Sequence, residues 1–329
     1  MKEKFDYYDS GISSIMFVVL QYIFLRLYFL LPASVRAGAV SIIASCLLEG
    51  MFLLAVFITS RITSTKMIPA TTLNKKVTSK GVLYSLAIAV VFLIFASPLT
   101  NVFASFLEKV GYKSSLGGIK VDNFLTYIIY IVVMCIIPAV TEEALFRGCI
   151  VGGLQEKNKH MAVFVGAIFF TLMHGGPDQT VHQFVMGVMA GYIFVYTKNL
   201  WYPIIIHFAN NFMAVTMSYI YSGTAVQETT TVASWSQIGV SLVTAIVMAA
   251  AGAFILYFLI KELIKGDNKK ENSTNDIVIT TAGDEEQVLP LENKVDKRPK
   301  WLPIVCFSLS AIYLLFEWVA TLLLGLGVV

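Results

Sequence analysis

Residues 124–148 read FLTYIIYIVVMCIIPAVTEEALFRG. The first part is almost wholly apolar, and about 20 such residues suffice to carry a helix across a hydrocarbon layer. The stretch therefore predicts a membrane-spanning helix over 123–145, yet it closes on two adjacent glutamates and an arginine, where charge is expensive. The rest of the chain agrees with a membrane setting. Its 329 residues are 57% hydrophobic and 14% charged, with a mean hydropathy of +0.74, against roughly 45–50% apolar in soluble domains. Further apolar runs near 12–32, 37–59, 82–103, 161–174, 181–197, 202–221, 237–260 and 302–326 lead to an all-α expectation: a polytopic transmembrane helical bundle of eight or nine helices.

The net charge of +3 marks no basic domain, and the lysines and arginines lie in the connections between runs, which argues for a lipid bilayer as the surroundings and for no nucleic-acid partner. Basic residues concentrate at 60–80 and 261–300, so both segments are expected on the cytoplasmic side, with 222–234 and the C-terminus opposite. Lys109, Lys113 and Lys120 fit that alternation poorly. The organisation expected is N-terminal membrane helices over 1–119, a central core over 120–222, a further helix over 223–261, a flexible cytoplasmic linker over 262–300, and a last membrane helix over 301–329. The linker expectation rests on mixed charges with Asn, Thr and Gly and little apolar surface to offset ordering entropy. Cys46, Cys135, Cys149 and Cys306 lie in or beside apolar runs without metal-like spacing and read as small core residues.

Ionisable side chains inside a bilayer cost about 2.5–3.5 kcal/mol on insertion scales unless they are paired or face a wet cavity. Arg26 and Glu49 are expected to pair between neighbouring helices, and Glu317 to reach for the interface. The 141–148 cluster differs. Glu143 and Arg147, four apart, share a helix face in the favourable acid-then-base order, while Glu142 is turned by about 100°. One carboxylate is then held by the arginine and the other is free to act as a general base. A plain surface pair at a helix end competes with this on the octet alone. His174 and His207, in two other apolar runs, strengthen the functional reading. Asn211 follows His207 by four residues and shares its face, Asn210 is turned away, and His160 and His182 read as interface residues. Gly148 with Gly152, and Gly187 with Gly191, are spaced as helix-packing seams.

Taken in order, Glu142, Glu143, Phe146, Arg147 and Gly148 (EExxxR with FRG), Phe170 and His174 (FxxxH), and His207 and Asn211 (HxxxN) resemble the CPBP family of CAAX prenyl proteases and bacteriocin-processing or immunity (Abi-like) proteins. The resemblance covers about 120–222. It implies an intramembrane endopeptidase, a peptide hydrolase in which Glu142 activates water and Glu143, Arg147, His174, His207 and Asn211 complete the site. The implied partner is a membrane-associated peptide or protein substrate, with or without a lipid modification, and the implied location is a multi-pass position in a bacterial cell membrane. Peptide hydrolysis needs an activated water and donors for the developing oxyanion, and neither requires a serine or cysteine nucleophile. No cofactor is expected; a zinc ion held by Glu142, His174 and His207 is the less favoured alternative, since HExxH is missing. A non-catalytic immunity or scaffold protein of the same fold, and a proton-coupled transporter, are the competing functions.

Overall fold

The computed structural model describes residues 1–36, 38–114, 121–222, 232–281 and 298–328. Ten helices make up this part of the chain: α1 (Tyr7–Phe29), α2 (Ala39–Ile62), the short α3 (Met67–Ala70), α4 (Ser79–Lys109), α5 (Phe124–Leu154), α6 (Lys159–Met173), α7 (Thr180–Thr197), α8 (Trp201–Ser222), α9 (Trp235–Thr281) and α10 (Trp301–Gly325). Six of them, α1, α2, α4, α5, α9 over Trp235–Asp267, and α10, are long and apolar enough to cross a membrane. The protein is a multi-pass, all-α membrane bundle.

Local chemistry sets the helix starts. Asp6 caps α1 by accepting from the Tyr8 and Asp9 amides while Asp9 returns the bond, a reciprocal capping box. Thr78, Asn123 and Asn158 cap α4, α5 and α6 through Gly81, Thr126 and Met161. At the α1 start Lys2 bridges Asp6 and Asp9 at 2.7 and 2.8 Å, Arg298 reaches Asp6 at 2.7 Å, and Lys66 meets Glu3 at 2.7 Å. These bonds tie together the N-terminus, the turn after α2 and the start of α10.

Four expectations need correction. First, α5 does not end near residue 145 but runs on to Leu154. Its charges are buried, and Glu143 and Arg147 are paired, so they do not mark the water interface. By sequence alone, His174 falls near the opposite end of its span from Glu142. At about 1.5 Å per residue, Glu142 lies about 18 Å from Leu154 and His174 about 22 Å from Lys159. Because α5 and α6 are joined by residues 155–158, the two side chains reach similar depth. The helix is underwound into π turns at Ile131–Ile136 and Ala144–Val151, on either side of the segment holding Pro138 and Glu142.

Second, the linker expected over 262–300 is helical as far as Thr281, because α9 continues without a proline or cap to stop it; residues 282–297 lie outside the described part. Third, the packed core is not confined to residues 120–222: one core cluster includes Phe17 of α1, Phe52 of α2, Phe92 of α4, Phe146 of α5, Phe170 of α6 and Phe194 of α7. Ser10 of α1 also donates to the Cys149 carbonyl at 3.1 Å. Fourth, Arg26 and Glu49 do not pair. Arg26 lies over the Tyr22 ring at 5.0 Å, and Tyr22 meets Tyr313 edge-on.

The glycine spacing on α7 does form a seam. A Cβ on Gly187 would stand 2.9 Å from the Ala167 Cα, and one on Gly191 would stand 3.0 Å from a Val163 methyl, so α6 and α7 approach at backbone distance. Gly148 packs against Thr71 rather than against a neighbouring membrane helix. All four cysteines are free thiols, three of them buried.

Candidate active site

The π turn that starts at Ala144 carries Arg147 directly under Glu143, and the two form an ion pair of 2.8 Å with almost no solvent exposure. Burying a charge in this way is tolerable only when the partner is close and hydrogen-bonded. Glu143 Oε1 also accepts from Nδ1 of His207 at 3.0 Å, which joins α5 to α8. Glu142, one residue back, points elsewhere. Its Oε2 is buried and receives no hydrogen bond from an amide, hydroxyl or ring N–H among the described residues. Instead it stands 4.0 Å from Nε2 of His174 and 3.9 Å from Nε2 of His207.

The ring orientations follow from the other nitrogens. Nδ1 of His174 lies 2.7 Å from the Phe170 carbonyl, and Nδ1 of His207 faces the Glu143 carboxylate. Each Nδ1–H is thereby assigned as a donor and each Nε2 is turned toward Glu142. Phe170 explains its place in the FxxxH pattern. Its carbonyl orients His174, its ring takes the Arg147 guanidinium at 4.2 Å, and its edge contacts reach His174 at 4.8 Å, His207 at 5.9 Å and Phe146 at 5.4 Å. The aromatic is a wedge on which three polar site groups rest, and cation–π attraction of this kind strengthens when desolvated.

The asparagines divide differently from the helical-face expectation. Asn211 donates Nδ2–H to the Met134 carbonyl at 2.9 Å. Met134 lies four residues before Pro138, which has no N–H to give it, so Asn211 serves the backbone of α5. Asn210, expected to turn away, is buried. Its amide nitrogen lies 3.3 Å from Nε2 of His182 and 3.2 Å from Asn211 Oδ1, and its own Oδ1 takes no hydrogen bond from the described residues. His182, expected at an interface, stacks edge-on against Phe92 at 5.1 Å and faces Asn210. Asn210 follows His207 by three residues and Asn211 by four, so sequence gave both a claim to that face. His160 does sit at the rim, against the Tyr192 hydroxyl at 2.8 Å.

Glu49 is the residue that sequence reasoning missed. It comes from α2 and accepts the hydroxyl of Thr141, the residue before Glu142, at 2.7 Å. The available signal was its cost as a lone carboxyl in an apolar helix; its partner lies 92 residues away in sequence. As for zinc, among the described residues no group of three or more His, Cys, Asp or Glu side chains is disposed to hold a metal ion.

Comparison with known proteins now bears on this arrangement. Residues 124–213, which contain all six expected site residues, match the family model of the type II CAAX prenyl endopeptidase Rce1-like proteins. The chain is also 26% identical over 155 residues to a Bacillus subtilis (strain 168) protein described as "Putative membrane peptidase YdiL". That match takes in 46% of this chain and 64% of the relative, so it spans less than two thirds of the relative's length. No solved structure matches the chain significantly. Both matches support the resemblance to the CPBP family, and the family model covers the segment that carries Glu142, His174 and His207.

Proposed function

We propose that this protein is an intramembrane endopeptidase that hydrolyses a peptide bond in a membrane-associated peptide or protein. One observation carries the reading. A buried carboxylate oxygen of Glu142 stands 4.0 and 3.9 Å from the Nε2 atoms of two imidazoles from two other segments, a spacing that one water at about 2.8 Å from each atom can bridge. A water held there donates one hydrogen to Glu142 and the other to an imidazole nitrogen.

In the proposed reaction the water proton passes to Glu142 as its oxygen bonds to the substrate carbonyl carbon, and the carbonyl π pair moves onto oxygen. When the tetrahedral intermediate collapses, the C–N pair leaves on nitrogen, which takes the proton back from Glu142. General-base help of this type supplies about 10²–10⁴ in rate. Glu143 and Arg147 hold His207, and Phe170 holds His174. Asn211 acts as a positioning residue through Met134. The reaction in this form needs no metal. The peptidase descriptions of the matched family and relative support the reaction class.

The test is a comparison of peptide termini in membranes from cells making the wild-type chain or Glu142→Gln at equal level. New N-termini that arise only with the wild type support the proposal and identify the substrate. Identical sets of termini would leave the non-catalytic scaffold as the better account.

A further inference from the structure

Where α1 and α10 begin, the chain forms a cleft of about 570 Å³ that the proposed hydrolysis does not use, walled by Tyr7, Tyr8, Glu156, Lys157, Arg298 and Lys300. Ligand sites commonly enclose roughly 300–1,000 Å³. The two helices meet at backbone distance beside it: a Cβ on Gly11 would stand 2.6 Å from the Cα of Pro303, which also lines the cleft. Both helices are long and apolar enough to cross a membrane, and they start at Tyr7 and Trp301. Trp301 is exposed, and aromatic residues at the ends of spans sit at the level of lipid headgroups. The cleft therefore opens at headgroup depth.

Its charges are unevenly spent. Asp6 takes Lys2 and Arg298, each at 2.7 Å, and buried Asp9 takes Lys2 at 2.8 Å, so two acids and two bases balance. Arg298 also lies over the Tyr8 ring at 4.5 Å, and Lys157 Nζ stands 3.3 Å from the centre of the Tyr7 ring. Among the described residues neither Lys157 nor Lys300 has a carboxylate partner, neither tyrosine hydroxyl has a hydrogen-bond partner, and Glu156 has no cation partner. Two ammonium groups against one carboxylate leave a single positive charge, which one phosphodiester balances. We infer that the cleft holds the headgroup of an anionic phospholipid. Its phosphodiester oxygens accept from Lys157, Lys300 and a tyrosine hydroxyl, and its acyl chains run past Ile304, which α10 exposes. Basic pockets between membrane helices take headgroups of this kind. Arg298 and Lys300 belong to the basic segment expected on the cytoplasmic side, the leaflet that carries anionic lipid. A lipid so placed joins the starts of α1 and α10 to the turn between α5 and α6, where Lys157 lies.

The test titrates the full-length protein in detergent with phosphatidylglycerol and counts bound lipid by native mass spectrometry. The wild type is expected to show one saturable site. Lys157→Gln combined with Lys300→Gln, both at exposed positions, is expected to weaken binding at least about tenfold, the scale of losing two lysines at a lipid phosphate. Lys261→Gln combined with Lys265→Gln, equally exposed but on α9, removes the same charge elsewhere and is expected to leave binding within about twofold, because distant surface charges are screened. Phosphatidylcholine, phosphatidylethanolamine and inorganic phosphate at equal concentration are expected not to displace the bound lipid. No saturable site in the wild type, unchanged binding in the first double variant, or an equal loss in the second would overturn the inference. Displacement by a zwitterionic lipid would overturn the choice of an anionic headgroup, and displacement by inorganic phosphate would overturn the choice of a lipid.

Discussion

Glu143 and His207, 64 residues apart in the chain, meet at 3.0 Å through Oε1 and Nδ1, and the same oxygen holds Arg147 at 2.8 Å. A single carboxylate therefore sets the positions of a base-side imidazole and a buried guanidinium on two helices. Removing either charge of a buried pair leaves the other uncompensated, at a cost of about 3–5 kcal/mol. Arg147→Ala and Glu143→Ala should each lower the unfolding midpoint in detergent and the level of protein in the membrane. The double variant Glu143→Leu with Arg147→Met should regain most of that stability and stay inactive, because His207 has lost its anchor. Recovery of activity along with stability would show that the pair only supports the fold.

Asn211 and Pro138 should be energetically coupled. With Asn211→Ala the Met134 carbonyl loses its side-chain donor, costing about 1–3 kcal/mol. In a Pro138→Ala background the backbone gains an N–H within α-helical reach of that carbonyl, and the same change should cost less than half as much. A double-mutant cycle in thermal unfolding measures the difference; additive effects would mean that Asn211 does not compensate for the proline.

A metal-free hydrolysis predicts indifference to chelation. Incubating the purified protein with a strong chelator and then removing the complex should leave cleavage within about twofold, since no ligand of the nucleophilic water is withdrawn. Loss of activity that zinc restores would reverse this part of the proposal.

The spans were legible because lipid imposes one simple demand, a long apolar run with its backbone bonded internally. All nine apolar runs became helices, but six rather than eight or nine of the described helices are long and apolar enough to cross a membrane. The end of α5 was not legible. Glu142, Glu143 and Arg147 look like a water interface in sequence, and only Arg147 folding back on Glu143 beneath Phe170 shows that they are interior. The three motif segments were readable because each carries a polar group in an apolar run, but which neighbour each group faces depends on helix rotation. The π turns of α5 shift that rotation, and an ideal 3.6-residue period does not contain them. Asn210 and His182 were misplaced because facing directions in the assembled bundle cannot be derived from helical period alone, and Glu49 was given the wrong partner because its true one comes from a distant part of the chain.

The most direct measurement is the turnover of one identified peptide bond by the purified full-length protein in nanodiscs, wild type beside Glu142→Gln. The account predicts a rate at least about 10²-fold lower in the variant, with an unfolding midpoint no lower than the wild type's, because the substitution removes a buried carboxylate. A Glu142→Gln protein that cleaves within twofold of the wild-type rate would contradict it.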